Sequence, residues 1–309
     1  MSVVECVEVV RRFGDVTALD GVSFQVAEGE IFGLIGPNGA GKTTLLNCVE
    51  GLDRPTSGRI SVLGRHPIAD RHELTRLTGV QLQSAALPPR ITVAEAMRLF
   101  SALYDDPVPW PELLTTLGIA GKQRTRVERL SGGERQRVFI ALALLHEPKV
   151  VFLDELTTAL DPQARLAMWE VVEAVRGRGT TVVLTTHYME EAEHLCDRVG
   201  IIDHGRLIAL DTVPALIRAH AGDATARLVL TQPAPAELAP ELKRIDTVTA
   251  AQPDGKYLTV QGTGGFLQDV LTDLTTRNIR IADLRATSPG LEDVFLNLTG
   301  RHMRTEVQS

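Results

Sequence analysis

A glycine-rich loop set between an apolar strand and a helix constrains this chain more than any other segment. The loop reads GPNGAGKTT; the apolar stretch EIFGLIG leads into it and the helical pattern KTTLLNCVEGL continues from it. Its glycines allow successive N–H groups to point at phosphate oxygens, and the helix adds its positive N-terminal end. We therefore expect a nucleotide site, with a glycine turn that binds no ligand as the alternative. The expected nucleotide contacts are Gly36, Pro37, Asn38, Gly39, Ala40, Gly41, Lys42, Thr43 and Thr44.

The segment KVVFLDE at residues 149–155 supplies the second half of such a site. Its four consecutive apolar residues are typical of a parallel strand that is covered on both faces. Lys42 can reach the β- and γ-phosphates, while Thr43 and Asp154 can hold Mg²⁺. Glu155 can polarise the attacking water as a general base. An ordinary strand that ends in solvated acids is the alternative, and the loop lysine weakens it.

The stretch LSGGERQR at residues 130–137 narrows the class of protein. Ser131 and Glu134 have the spacing of a capping box, which any helix can use. A helix start with two glycines is also a bare anion-binding end. The motif resembles the signature of the ATP-binding-cassette ATPases, and its combination with the phosphate loop is very specific. The resemblance implies that ATP is the nucleotide, and that the γ-phosphate bound to the opposite subunit is gripped by Ser131, Gly132, Gly133 and Glu134.

Two further polar positions match the family. In TGVQLQ, Gln83 is the stronger candidate for the lid glutamine that senses Mg²⁺ and the attacking water, and Gln81 is the weaker one. In TVVLTTH, His187 matches the switch histidine, which contacts the γ-phosphate and pairs with Glu155. Without the resemblance, a lone histidine at a strand end is usually structural. The resemblance implies Glu155, His187 and Gln83 as catalytic residues and Thr43, Gln83 and Asp154 as metal ligands.

An aspartate and an aromatic residue complete the family positions. Asp161 in TTALDP matches the aspartate of the loop that runs across the dimer interface. Phe13 in RRFGDVTALDGVSF matches the aromatic residue that stacks on adenine, since a purine has a π-face to cover. A plain core phenylalanine is the alternative for Phe13.

The chain departs from the family pattern at three positions. Leu156 stands where a proline normally follows the glutamate, Ala159 where a glycine is common, and Glu134 where a glutamine is common. The substitution at Glu134 is frequent in the family. Leu156 and Ala159 lie between the expected base and the interface aspartate, so they alter how sharply the chain turns there. We expect hydrolysis to be retained but slower.

Composition limits the classes of partner. The chain has 309 residues, enough for one large and one small domain. A net charge of −7 and only 4% aromatic residues argue against a nucleic-acid partner. Three cysteines without a CxxC pair suit a reducing cytoplasm. The apolar run at residues 138–145 is far shorter than a bilayer span, and the first residues lack the apolar core of a signal peptide, so we expect no membrane segment.

The positions of the motifs predict an α/β fold of the P-loop NTPase class. Residues 1–220 are expected to form the nucleotide-binding domain: a doubly wound, RecA-like core with an antiparallel β layer. RPTSGRISVLG is expected to give a strand of that layer. A helical lobe is expected at about residues 90–135, where Thr92 and Glu95 make a capping box.

Residues 221–309 are expected to form a small α+β accessory domain. ARLVLT, KYLTVQG and NIRIADLR read as strands, with GFLQDVLTDLTT as an amphipathic helix between the last two. LEDVFLNLTG reads as a helix whose apolar stripe belongs to the core. This closing sequence resembles the end of bacterial drug and antibiotic exporter ATPases of the daunorubicin-resistance type.

A single copy of each motif implies that a working enzyme needs two chains. The resemblance implies an ATP-dependent head-to-tail homodimer that drives a separate polytopic membrane permease. Such a protein is cytoplasmic and peripheral on the inner face of the cell membrane, docked near Gln83 through the loop SAALPP. Export of antibiotic, lipid or polysaccharide fits the residues, and the resemblance favours a hydrophobic drug. The alternative function is a soluble ATPase that serves as an assembly scaffold.

Overall fold

Short, wholly apolar strands form the centre of the fold, as residues covered on both faces of a parallel sheet must. The computed structural model describes residues 1–81, 86–158 and 160–300. Two units divide the chain, one comprising Met1–Val213 and one beginning at Pro214. The first unit contains nine strands among its described residues: β1 Ser2–Phe13, β2 Val16–Ala27, β3 Ile31–Ile35, β4 Ser57–Val62, β5 Thr78–Gln81, β6 Val150–Asp154, β7 Thr181–Thr186, β8 Arg198–Asp203 and β9 Arg206–Thr212.

Six of these strands make the central sheet, in the order β5-β6-β7-β3-β8-β9. The first five run parallel, and β9 is antiparallel to β8. Every residue of β3, β6 and β7 is buried. The predicted doubly wound core is therefore confirmed, and the carboxyl ends of β3, β6 and β7 meet at one edge of the sheet.

A second, antiparallel sheet has the order β2-β1-β4. Its inner face packs the apolar side chains of β1 and β2 against the central sheet, where Phe24 stacks on Phe32 with the ring centroids 5.2 Å apart. The strand predicted from RPTSGRISVLG is β4, and its antiparallel pairing is confirmed.

Seven α-helices lie wholly within the described part of the first unit: α1 Lys42–Val49, α2 Arg71–Leu74, α3 Val93–Ser101, α4 Trp110–Thr116, α5 Gly132–Leu144, α6 Pro162–Gly177 and α7 Met189–Leu195. The capping box predicted for α3 is present: the Glu95 N–H donates to Thr92 Oγ1, and the Thr92 N–H donates to the Glu95 carboxylate. The helices α3, α4 and the start of α5 occupy the region predicted as a helical lobe.

The second unit, from residue 214 to residue 300, is a four-stranded antiparallel sheet with helices. The sheet order is β11-β12-β10-β13, and its core is apolar. The predicted strands and the helix between the last two are confirmed. The elements are α8 Val213–His220, β10 Ala224–Leu230, α9 Leu238–Leu242, β11 Val248–Asp254, β12 Tyr257–Gly262, α10 Phe266–Thr276, β13 Ile281–Thr287 and α11 Leu291–Thr299.

The boundary between the units lies one short helix earlier than the division expected at residue 220. Almost all of α8 belongs to the second unit. The end of α8 is bonded to α11 of the second unit, where the Asn297 side-chain amide donates a hydrogen bond of 2.8 Å to the His220 carbonyl oxygen. The predicted core stripe of α11 is present, with Leu291, Val294 and Phe295 buried.

Candidate functional site

Two glycines shape the loop between β3 and α1 because the backbone leaves no room for a side chain. A Cβ atom at Gly36 would lie 2.1 Å from the Ile202 carbonyl oxygen. Gly41 has φ +106°, and a Cβ there would lie 2.6 Å from the Ala18 carbonyl oxygen. Gly41 is also the N-cap of α1 and brings no side chain to cap it. The N–H groups of the first turn are thus available to an anion.

We predict that Gly36→Ala destabilises the ligand-free protein by about 3 kcal/mol, because backbone atoms must move to admit the methyl group. Gly39→Ala is the matched control: Gly39 has φ +80° but open space around it. That variant carries only the cost of a left-handed alanine, about 1 kcal/mol. Chemical denaturation of both variants measures the difference, and equal midpoints would refute the close-packing argument.

Lys42, the first residue of α1, lies almost fully buried beneath the loop. Its Nζ donates hydrogen bonds to the carbonyl oxygens of Gly36 and Pro37, at 2.7 and 3.1 Å. The same atom lies 3.9 Å from Glu155 Oε1. Burial lowers the pKa of Lys42, and the carboxylates of Glu155 and Asp154 oppose that shift. A positive charge is therefore held against the loop by two nearby acids.

Asp154 ends β6 beside the loop and is buried. Its Oδ1 accepts a hydrogen bond from the Thr185 hydroxyl and a longer one, 3.4 Å, from the Thr43 hydroxyl. Burial raises the pKa of Asp154, and these two hydroxyls oppose the rise. A carboxylate and a hydroxyl oxygen next to a phosphate-binding loop are hard oxygen ligands of the kind that Mg²⁺ takes. The donor set therefore fits a magnesium ion.

Glu155 follows directly and has a left-handed backbone, with φ +47°. Its N–H is shared between the Thr185 hydroxyl at 3.1 Å and the Thr185 carbonyl oxygen at 3.2 Å. Its Oε1 lies 3.6 Å from Nδ1 of His187. The His187 imidazole, followed by Lys42, lowers the pKa of Glu155 against the opposing effect of burial. Strained backbone that neighbours hold in place is common at functional sites.

The loop and Glu155 enclose a cavity of about 310 Å³. Its walls are mainly backbone and hydroxyl groups with one lysine and one carboxylate, which suits a polyphosphate better than an apolar ligand. The residues that line it are Ala18, Asn38, Gly39, Gly41, Lys42, Thr43, Thr44 and Glu155. The structure thus brings the loop, Asp154, Glu155 and His187 together at one sheet edge.

The signature segment lies at the start of α5. Glu134 N–H donates to Ser131 Oγ at 3.2 Å, and Ser131 N–H donates to Glu134 Oε2 at 2.9 Å, which is the predicted capping box. Lys122 Nζ lies 2.9 Å from Glu134 Oε1, and this contact is the main cause of the lowered pKa of Glu134. None of the residues 131–134 is among the described residues that line the cavity. The helix start is therefore not part of the described lining of the chain's own cavity.

The structure describes some of the remaining predicted site residues and leaves others outside the described ranges. Asp161 caps α6 by accepting a hydrogen bond of 2.9 Å from the Ala164 N–H. Phe13 is 49% exposed, so its alternative as a core residue is wrong. Gln81 ends β5 and is buried, whereas Gln83 and Ala159 lie outside the described residues. Leu156 is also buried, and its effect on hydrolysis stays a prediction.

Sequence reasoning missed several groups that form this site. Ala18 lines the cavity and Thr185 holds both Asp154 and the N–H of Glu155. Thr158 Oγ1 lies 3.4 Å from Glu155 Oε2 as a further donor. The one available signal was the pair of threonines in TVVLTTH, at the end of a strand that had to lie beside β6.

Fold and site together define a P-loop nucleotide hydrolase, as predicted. Residues 19–158 match the family model described as ABC transporter. An ATP-binding subunit of an ABC transporter has a similar structure, with a TM-score of 0.63, 29% identity, and coverage of 70% of this chain and 92% of that chain. A nucleotide-free ATP-binding cassette shares the fold at 24% identity, with a TM-score of 0.59, 69% of this chain and 92% of the other.

Curated relatives cover nearly the whole chain. The daunorubicin resistance ATP-binding protein DrrA3 of Streptomyces coeruleorubidus is 37% identical over 96% of this chain and 95% of its own length. The linearmycin resistance ATP-binding protein LnrL of Bacillus subtilis is 34% identical over 95% and 97%. A Nod factor export ATP-binding protein I, from Paraburkholderia xenovorans, is 39% identical over 98% and 99%.

The chain therefore belongs to the ABC transporter family, and the resemblance inferred from its motifs is confirmed. It is an ATP-hydrolysing enzyme of that family and an ATP-binding subunit of a transport system. In the described ranges, 1–81, 86–158 and 160–300, no helix combines the length and the apolar character needed to cross a membrane.

Proposed function

We propose that this chain binds and hydrolyses ATP with Mg²⁺ and thereby powers a separate permease for export. The observation that carries the proposal is the cavity in which Lys42, Glu155 and the loop backbone meet. The loop N–H groups and Lys42 bind the phosphates, because both present positive charge to the same space. Thr43 and Asp154 hold the metal, with Gln83 as the expected third ligand. Bound Mg²⁺ supplies charge neutralisation at the phosphate oxygens.

Glu155 acts as the general base in this proposal. Its lowered pKa keeps the carboxylate ionised at neutral pH, so it can accept a proton from the attacking water. His187, with Nδ1 3.6 Å from the carboxylate, orients Glu155 and reaches toward the γ-phosphate. Lys42 Nζ lies 3.9 Å from Glu155 Oε1, so the lysine attracts the phosphate charge to the side of the general base. The arrangement couples phosphate binding to activation of water.

We infer that a second copy completes the site. The residues 131–134 start a helix and do not line the described cavity of their own chain, which supports a phosphate on another chain as their ligand. Asp161 caps α6 and marks the loop we assign to the interface. The Phe13 ring is 49% exposed, with the Arg11 guanidinium 4.2 Å from its centroid, and we assign it to stacking on adenine. Two chains in head-to-tail arrangement would sandwich two ATP molecules, and hydrolysis would reopen the pair.

We predict that the Glu155→Gln variant elutes as a dimer with ATP and Mg²⁺ and as a monomer without nucleotide. Loss of the base traps ATP, and the trapped phosphate keeps the two chains together. Gly132→Glu in the same background should stay monomeric, since a carboxylate would repel the phosphate; a Cβ at Gly132 meets only the Leu160 side chain, at 3.5 Å. Light scattering after size exclusion measures the mass. A monomeric Glu155→Gln protein that still binds ATP would refute the self-paired dimer.

We propose that the permease docks in a groove of about 360 Å³ beside Gln81. Apolar side chains line most of it, among them Leu74, Leu87 and Phe100. Glu50 also lines it, and no described group is hydrogen bonded to either of its buried carboxyl oxygens. Burial raises the pKa of Glu50 to about 8. A cytoplasmic segment of the permease that brings apolar side chains and a basic one would suit these walls.

The cargo we propose is a hydrophobic drug or antibiotic. Two of the relatives carry names for daunorubicin and linearmycin resistance, and others are named for Nod factor export. All of them match nearly the full length of this chain, including the second unit. Through its permease the ATPase would work at the cytoplasmic face of the cell membrane.

A further inference from the structure

One buried carboxyl group outside the proposed site joins α7, the helix that follows His187, to α6. Glu191, in the first turn of α7, is 1% exposed. Its Oε1 accepts a hydrogen bond of 3.3 Å from the indole N–H of Trp169, on α6. A carboxyl group at this depth costs free energy unless it has polar partners, so its retention needs a reason.

The turn between β7 and α7 is held by a hydrogen bond of its own. Burial raises the pKa of Glu191, and the polar side chains around it oppose the rise. Thr186 directly precedes His187, and its Oγ1 accepts the Tyr188 N–H at 3.0 Å. This bond fixes the residues on either side of His187, and Glu191 holds the helix that follows them to α6.

A second contact joins α6 to the segment after β7. The guanidinium of Arg165 lies over the ring of Tyr188, with its Cζ 4.1 Å from the ring centroid. The Tyr188 ring in turn lies 4.1 Å from the ring of His187. Because Asp161 is the N-cap of α6, these contacts link the loop proposed for the interface to His187 from one side, and Glu191 links α7 to α6 from the core.

We propose that Glu191 is a positioning residue for hydrolysis: its hydrogen bond to Trp169 holds the start of α7, and with it the segment that carries His187, against α6. It thereby fixes the place of the His187 imidazole beside the Glu155 carboxylate. The inference rests on the proposed roles of Glu155 and His187. In this role Glu191 does not contact the nucleotide. Its loss therefore lowers the rate of hydrolysis and leaves the affinity for ATP largely intact.

The test is steady-state ATP hydrolysis by the full chain with alanine and glutamine variants. We expect Glu191→Ala to lower kcat by about 30-fold and to change KM for ATP by less than about threefold, because misplaced catalytic groups lose rate rather than affinity. Glu191→Gln should recover at least a third of the wild-type kcat, since its amide oxygen still accepts the indole N–H. Glu190→Ala, on the same helix with a 78% exposed side chain, is the matched control and should keep wild-type kcat.

Fluorescence of Trp169 separates positioning from folding. The chain has two tryptophans, so a Trp110→Phe background leaves Trp169 as the only emitter. Glu191→Ala should shift its emission and Glu191→Gln should not. The kcat of Glu191→Ala is calculated from the fraction of chains that bind nucleotide. If that corrected kcat equals the wild-type value, the variant has lost only folded protein and the inference is wrong. Normal turnover by Glu155→Gln would instead overturn the proposed roles themselves.

Discussion

Glu155→Gln lowers the rate of ATP hydrolysis by about 100-fold or more while ATP still binds. The amide keeps the size and the backbone conformation of the residue but cannot accept a proton. His187 and Lys42 hold the carboxylate in its ionised form, so the wild-type group is ready at neutral pH. Phosphate release measures the rate of hydrolysis, and equilibrium binding on the same preparation measures the affinity for ATP.

Glu190→Gln is the matched control for this prediction. Its carboxylate is 78% exposed and lies 4.0 Å from Arg165 at the surface, where an ion pair contributes little. We expect its turnover to equal that of the wild type. A Glu155→Gln protein with more than a tenth of the wild-type rate would show that another group activates the water.

Lys42→Met weakens ATP binding by about 100-fold or more, which also abolishes hydrolysis at ordinary ATP concentrations. Nζ contacts two loop carbonyl oxygens and lies beside Glu155, so the variant leaves the loop without its only buried cation among the described lining residues. Methionine has similar length and fills the same space. Calorimetric titration with ATP and Mg²⁺ measures the change.

The folded state should tolerate the same substitution. Burial lowers the pKa of Lys42, so the ammonium is held at a desolvation cost that methionine does not carry. We expect a midpoint of thermal unfolding within a few degrees of the wild type. Lys149→Met, at an exposed lysine just before β6, controls for loss of charge and should bind ATP normally. If Lys42→Met binds ATP as tightly as the wild type, the assignment of the loop as the phosphate-binding element is wrong.

The sequence predicts the parts of the fold that depend on interactions between neighbouring residues. The loop glycines, the apolar strand β6 and the capping boxes of α3 and α5 each follow from a few adjacent residues. Strand β11 did not follow, because its sequence VTAAQPD has weak β-propensity and a proline. It forms at the sheet edge, where Pro253 can be accommodated opposite Leu258. Packing against β12 decides its conformation.

Contacts between distant segments explain what the sequence left out of the site. Thr185 reaches Asp154 because β6 and β7 pair in parallel with these two residues in register. Ala18, on β2, reaches the cavity because its carbonyl oxygen lies against Gly41. Glu191 meets Trp169 only once α6 and α7 are packed together. A periodic pattern predicts each of these elements but not which side chains meet between them.

Affinity purification of the tagged full chain from gently solubilised membranes of its own cells tests the central claim most directly. Mass spectrometry identifies what co-elutes, and an ATPase assay on the eluate is run with the wild type and with Glu155→Gln. We predict recovery of a polytopic membrane protein together with ATPase activity that the substitution abolishes. Recovery of soluble partners alone, with none of the chain in the membrane fraction, would contradict the export function and favour an assembly scaffold.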